Sequence, residues 1–132
     1  DKVGRSIILI VDDHDVMRGL LRNWLAVHFP AFDIMEANNG DEAVYMALVW
    51  NPEVILMDIW MPEMNGFEAT RSIKTTAPDT RIVIITSDEN NHCRDRASLA
   101  GADAYCLKKE IAEDLIPVLR GFIYQEAAAG AE

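Results

Sequence analysis

Short runs of β-branched and aliphatic residues alternate along the chain with segments in which apolar residues recur every three or four positions. The runs Ile7 to Val11, Phe32 to Ala37, Val54 to Met57, Arg81 to Thr86 and Ala104 to Lys108 read as five strands. Ile7-Ile8-Leu9-Ile10-Val11 and Ile82-Val83-Ile84-Ile85 are apolar throughout rather than alternating. That is the pattern of strands covered on both faces, so the sheet is expected to be parallel and sandwiched between helices.

Between the strands, Met17, Leu20, Leu21, Trp24 and Leu25 mark one inward helical stripe, and Ala43, Ala47 and Trp50 a second. A short third stripe follows Gly66 with Phe67, Thr70 and Ile73, and Cys93, Ala97 and Ala100 give a fourth. The fifth carries Ile111, Leu115, Val118, Leu119 and Phe122. Pro117 has no amide proton to donate, so this helix is expected to start late or to kink. Strand and helix alternating five times imply right-handed crossovers and a doubly wound α/β domain. The small residues from Ala127 to Glu132 read as a linker or disordered tail, which sets the domain at 1–126 and the tail at 127–132.

A chain of 132 residues, half of them hydrophobic, supports one core and not two. No apolar run approaches the roughly 20 residues of a membrane-spanning helix, and no basic segment with an apolar core opens the sequence, so a cytoplasmic protein is expected. Cys93 and Cys106 fall outside any CxxC pattern and suggest neither a disulfide framework nor a zinc site. A net charge of −10 argues against direct binding to a nucleic-acid backbone, which needs a clustered basic surface.

In open α/β sheets, ligands bind outside the carboxyl ends of the strands. Asp12 and Asp13 follow the first strand, Asp58 the third, Thr86 and Ser87 the fourth, and Lys108 ends the fifth. A lone aspartate there is most simply a helix cap, and Asp13 or Asp15 could be only that. Three converging carboxylates repel and raise one another's pKa unless a cation joins them. With oxygen donors and no His or Cys cluster, the expected cation is hard, and Mg²⁺ fits best. A carboxylate beside Mg²⁺ can attack phosphorus to give an aspartyl phosphate, while Lys108 neutralises the transferring oxygens and the Thr86 hydroxyl hydrogen-bonds one of them.

Taken together, Asp12-Asp13, the run from Asp58 through Trp60 and Pro62 to Gly66, Thr86-Ser87, and the run from Gly101 to Lys108 closely resemble the receiver domain of two-component response regulators. The resemblance extends from about Ile7 to Tyr124. It implies a flavodoxin-like sheet of order 2-1-3-4-5 with five flanking helices. It further implies Asp58 as phosphoacceptor, Asp12 and Asp13 as the acidic pair holding Mg²⁺, and the Trp60 backbone carbonyl as a further ligand. Thr86 matches the switch hydroxyl, Lys108 the lysine that pairs with the phosphoryl group, and Tyr105 the aromatic that turns inward on activation. The plainer account of Tyr105 is a strand residue half in the core.

A sensor histidine kinase or phosphotransfer protein would supply the phosphoryl group, and phosphorylation could drive homodimerisation. On this reading the chain is not an enzyme, only a phosphoacceptor that assists its own phosphorylation and dephosphorylation. Lys109 departs from the family, many members of which have proline there after a cis peptide; a non-proline cis bond costs about 3 kcal/mol. The Asp12-Asp13-His14 run and Lys109 resemble receivers joined to helix-turn-helix outputs. His14 itself is expected as a first-turn helix residue near the site rather than a metal ligand.

A phosphatase of the haloacid dehalogenase type requires Asp-x-Asp-x followed by Thr or Val, but Asp13-His14-Asp15-Val16 is followed by Met17, and Asp58 and Lys108 are left without their usual places. A flavodoxin-like electron carrier would need a phosphate cradle where this chain has the acidic loop Asp12-Asp13-His14-Asp15. A fold homologue that takes no phosphate would have lost one of five site residues, and all five are present. Length favours a stand-alone messenger; His14 and Lys109 favour the receiver of a transcriptional regulator, the reading preferred here.

Overall fold

The computed structural model describes the backbone of residues 6–131 and the side chains of residues 6–123. Five strands, β1 (Ile7–Val11), β2 (Asp33–Ala37), β3 (Val54–Met57), β4 (Arg81–Thr86) and β5 (Ala104–Leu107), form one parallel sheet in the order β2-β1-β3-β4-β5. The helices are α1 (Asp15–His28), α2 (Gly40–Trp50), α3 (Gly66–Thr76), α4 (Asn91–Ala100) and α5 (Ile111–Ala131). The tail expected over residues 127–132 lies outside the residues described with side chains.

The continuously apolar strands are explained by two cores, one on each sheet face. Ile8, Ile10, Leu56, Val83 and Ile85 meet Leu21 and Leu25 of α1 and Leu115 and Leu119 of α5. Leu9, Ile55, Met57, Ile82 and Ile84 meet Ala43, Ala47, Phe67, Ile73 and Ala97 of α2, α3 and α4. Burying an Ile or Leu side chain contributes about 2 kcal/mol, so the alternation of faces along each central strand binds both helix layers to one sheet.

Helix boundaries follow local chemistry. Asn65 caps α3 in a reciprocal box with Glu68, and the Asn39 side chain accepts from the Glu42 amide at the start of α2. α4 ends at Gly101, whose φ of 104° is costly for any residue with a Cβ.

Five expectations are corrected. β2 begins at Asp33, one residue later than read, and Lys108 lies not in β5 but in a 3₁₀ turn, Lys108–Glu110. That turn leads straight into α5, which therefore starts at Ile111 rather than late and runs through Pro117; anchorage of fully buried Leu115 and Leu119 outweighs one missing hydrogen bond. Leu20 is 63% exposed because α1 turns Leu21 and Leu25 to the sheet. Trp50 is 52% exposed because the small residues Ala43 and Ala47 seat α2 close to the sheet and leave no depth for an indole. No helix among the described residues is long and apolar enough to cross a membrane.

Candidate functional site

The strand order places β1 and β3 side by side at the centre, with their connections leaving toward opposite edges, and a crevice opens at their carboxyl ends. The ladder continues past both strands: the Asp12 amide donates to the Ala37 carbonyl (3.2 Å) and the Asp58 amide to the Val11 carbonyl (2.9 Å). Asp12 and Asp58 are thus fixed by sheet hydrogen bonds although they lie beyond the strands.

Asp12, Asp13, His14 and Asp58 can each offer one ligand atom, with all four atoms within 4.8 Å of one another. Lys108 reaches in from the end of β5, its Nζ 3.0 Å from Asp12 Oδ2 and 3.6 Å from Asp58 Oδ1. Asp12 and Asp58 are only 4% and 6% exposed. Burial pushes the Asp58 carboxyl up to about 6, against the pull of Lys108 and with the repulsion of Asp12 adding to it; the Ile59 amide, donating to Oδ1 at 3.0 Å, also favours the ionised form.

Asp13 Oδ1 is buried and has no hydrogen-bond partner among the described residues. Its nearest cationic neighbour is His14 Nδ1 at 3.4 Å, which is charged only when protonated. An orphaned carboxylate oxygen beside two further buried carboxylates fits a hard divalent cation, and the donor set of carboxylate oxygens is the one such ions take. The cluster can therefore hold a metal ion.

His14 is the residue before α1 rather than one in its first turn; its amide donates to Asp12 Oδ1 (2.9 Å) and its Nδ1 lies 3.3 Å from the same oxygen. Gly66 is required where the loop after β3 doubles back. Its amide donates to the Ile59 carbonyl at 2.7 Å, and a Cβ there would fall on the Asp58 carbonyl oxygen. In the same loop Glu63 takes a left-handed φ of 69°.

The remaining expected residues gather one step away. The Thr86 hydroxyl, 1% exposed, accepts from the Asp88 amide (3.1 Å), and the half-buried Tyr105 donates its hydroxyl to the Asp88 carbonyl (3.1 Å). Trp60, half-exposed, packs edge-on against Phe67 and donates its indole N–H to Asp88 Oδ2 at 2.9 Å. Lys109 is exposed and pairs with Glu89 at 2.8 Å, and no peptide among the described residues is cis.

Sequence reasoning missed two residues. Arg18, its side chain 14% exposed, donates to the Asp12 carbonyl (2.6 Å), Glu36 Oε1 (3.0 Å) and Asp15 Oδ1 (2.8 Å), clamping the acidic loop to α1 and β2. The spacing of Asp15 and Arg18 on one helix was a local signal for part of this. Asp88 carried none.

A family model described as the response regulator receiver domain matches residues 8–120. This chain belongs to that family. The receiver domain is 34% identical over 114 residues to the transcriptional regulatory protein DegU of Brevibacillus brevis, covering 86% of this chain and 48% of that one. It is 42% identical over 101 residues to the chemotaxis protein CheY of Halobacterium salinarum, covering 76% and 82%. Among solved structures it superimposes on the response regulator TrrA of Thermotoga maritima, crystallised with Mg²⁺ and BeF, with a TM-score of 0.79, 29% identity, and coverage of 89% and 98%. The chain spans about half the length of transcriptional regulators it matches, DegU among them. The receiver domain is homologous to two-component transcriptional regulators, and the phosphatase and electron-carrier readings give way to that assignment.

Proposed function

We propose that this receiver domain accepts a phosphoryl group on Asp58 from a histidine kinase or phosphotransfer protein and, through Thr86 and Tyr105, passes the change to an output. The observation that carries this reading is the pairing of a nearly buried Asp58 with Lys108 on one side and the unpartnered Asp13 oxygen on the other. With its carboxyl near 6, Asp58 is mostly ionised at neutral pH, and the Ile59 amide fixes its rotation for attack. A carboxylate oxygen forms the new bond to phosphorus as the bond to the donor breaks, giving an acyl phosphate.

Asp12, Asp13, Asp58 and the Trp60 carbonyl would hold Mg²⁺, which supplies positive charge for the phosphoryl oxygens. Lys108, already shared by Asp12 and Asp58, is placed to follow the added negative charge. Thr86 would contribute a hydroxyl to a phosphoryl oxygen, drawing the loop after β4 with it, and Tyr105, hydrogen-bonded to that loop, would respond. The surface formed by α4, β5 and α5 would then change shape for an attached output domain or a second copy. The domain acts as a phosphoacceptor and not as an enzyme with turnover on a separate substrate.

Incubation with acetyl phosphate and Mg²⁺ should add one phosphoryl group by mass spectrometry, and Asp58→Asn should abolish it. Labelling of Asp58→Asn to the wild-type extent would move the acceptor elsewhere.

A further inference from the structure

Asp88 stands where four parts of the molecule meet. Its amide donates to the Thr86 hydroxyl at the end of β4, and its carbonyl accepts from the Tyr105 hydroxyl on β5. Its Oδ1 accepts from the Asn90 amide (2.9 Å), closing the turn into α4, and Oδ2 accepts from the Trp60 indole (2.9 Å). Trp60 lies two residues from Asp58, on the loop whose Ile59 amide holds the Asp58 carboxylate. Its ring is fastened edge-on to Phe67, and the Arg96 guanidinium of α4 stacks on Phe67 at 4.3 Å. Asn90, and next Trp60, hold the Asp88 carboxyl below the usual range, so both bonds are made to the ionised group.

From this we infer that the Trp60–Asp88 hydrogen bond is a second coupling link, independent of the Thr86 hydroxyl, through which a change at Asp58 reaches β5 and α4, with Asp88 as its positioning residue. The inference rests on the phosphoacceptor reading. Any displacement of the Asp58–Trp60 segment pulls on Asp88 Oδ2, and because the backbone of Asp88 holds Thr86 and Tyr105, both hydroxyls follow it. Thr86 alone would connect the site to the loop at one point; the indole, carried by the loop after β3, connects it at a second. Two attachments make the loop move as a body and turn a graded displacement into two arrangements.

The test uses Asp88→Asn. Asparagine keeps one acceptor oxygen for the Asn90 turn and sets its NH₂ against the indole N–H; because the Asp88 carboxylate also bonds the Cys93 thiol of α4, the Trp60 variant below, which leaves that contact in place, isolates the indole link. Amide resonances are followed as beryllofluoride and Mg²⁺ are titrated in. In Asp88→Asn, Ile59 and Val11 should shift as in wild type, with half-saturation within about twofold, while shifts from Asn91 to Ala100 and at Tyr105 fall to about half or less. Trp60→Phe, which keeps a ring on Phe67 and loses the N–H, should reduce the α4 shifts similarly, and the double variant should be no worse than either, as for one shared bond. Full-sized α4 shifts in Asp88→Asn, or additive losses in the double variant, would overturn the inference. Failure of wild-type Ile59 and Val11 to respond would instead overturn the phosphoacceptor reading on which it stands.

Discussion

Replacing Asp58 by asparagine should make the metal-free protein more stable, by an amount that depends on pH in a defined way. The carboxyl rises from its ordinary value of 3.8 to about 6 in the fold. A rise of this size corresponds to roughly 3 kcal/mol between the charged and neutral forms, and Asp58 is buried enough for it to count almost in full. The sign follows from proton binding. Below about pH 4 both folded and unfolded chains hold the proton and the site costs nothing. Between about 4 and 6 the unfolded chain releases its proton first, so stability falls as pH rises. Above about 6 the penalty is fully present. Asparagine mimics the neutral form at every pH. For a domain of this size, roughly 3 kcal/mol moves the melting temperature by about 10 °C.

Thermal unfolding followed by circular dichroism in EDTA should place Asp58→Asn about 10 °C above wild type near pH 7.5, with the gap closing toward pH 4. Saturating Mg²⁺ should raise wild type and narrow the gap. A gap of equal size at both pH values would show that packing and not charge separates the two proteins. No gap at neutral pH would mean that the carboxylate is not held against burial.

Asp13→Asn should lose at least about tenfold in Mg²⁺ affinity by calorimetry while the apo protein melts no lower than wild type, because removing that charge relieves Asp58. Gly66→Ala should cost about 3 kcal/mol in urea unfolding, since its methyl falls on the Asp58 carbonyl oxygen; Gly19→Ala, with no atom within 4 Å, is the neutral or slightly stabilising control. Thr86→Ala should still be phosphorylated yet show reduced amide shifts between Asn90 and Phe122 on adding beryllofluoride, with a remainder carried through Trp60 and Asp88. Shifts equal to wild type would exclude the hydroxyl as a coupling element.

The strands were legible because a parallel sheet covered on both faces writes its burial into consecutive residues, as in Ile7 to Val11 and Ile82 to Ile85. The acidic cluster was legible because doubly wound topology brings the residues after β1 and β3 to one place, whatever the loops do. What remained hidden depends on register and on side-chain reach. Arg18 meets Glu36 only because Ile10 pairs with Glu36 across the β1–β2 ladder, which places that carboxylate beside the acidic loop. Asp88 gathers partners 17 and 28 positions away, and nothing in its own neighbourhood announces them. Helical periodicity placed Leu20 and Trp50 on inward stripes, yet it gives the angle of a side chain and not the depth available to receive it.

The ion pair between Lys108 and Asp12 joins residues 96 positions apart. Seen as a sequence of events during synthesis, this gives the last strand a particular duty. β1 can pair with β2 early, and β3 then arrives on its other side and brings Asp58 up against Asp12 and Asp13. From that moment the growing sheet holds three carboxylates in a confined place, and the nearby Arg18 guanidinium is taken up by Glu36, Asp15 and the Asp12 carbonyl rather than by those carboxylates. β4 extends the edge without supplying one. Only when β5 docks on β4 does Lys108 swing over the crevice, so the arrival of the final strand and the electrical completion of the centre are one event. A chain interrupted before residue 108 would therefore carry its deepest charges uncompensated, and its sheet would be held least firmly at the strands on which the whole site is built.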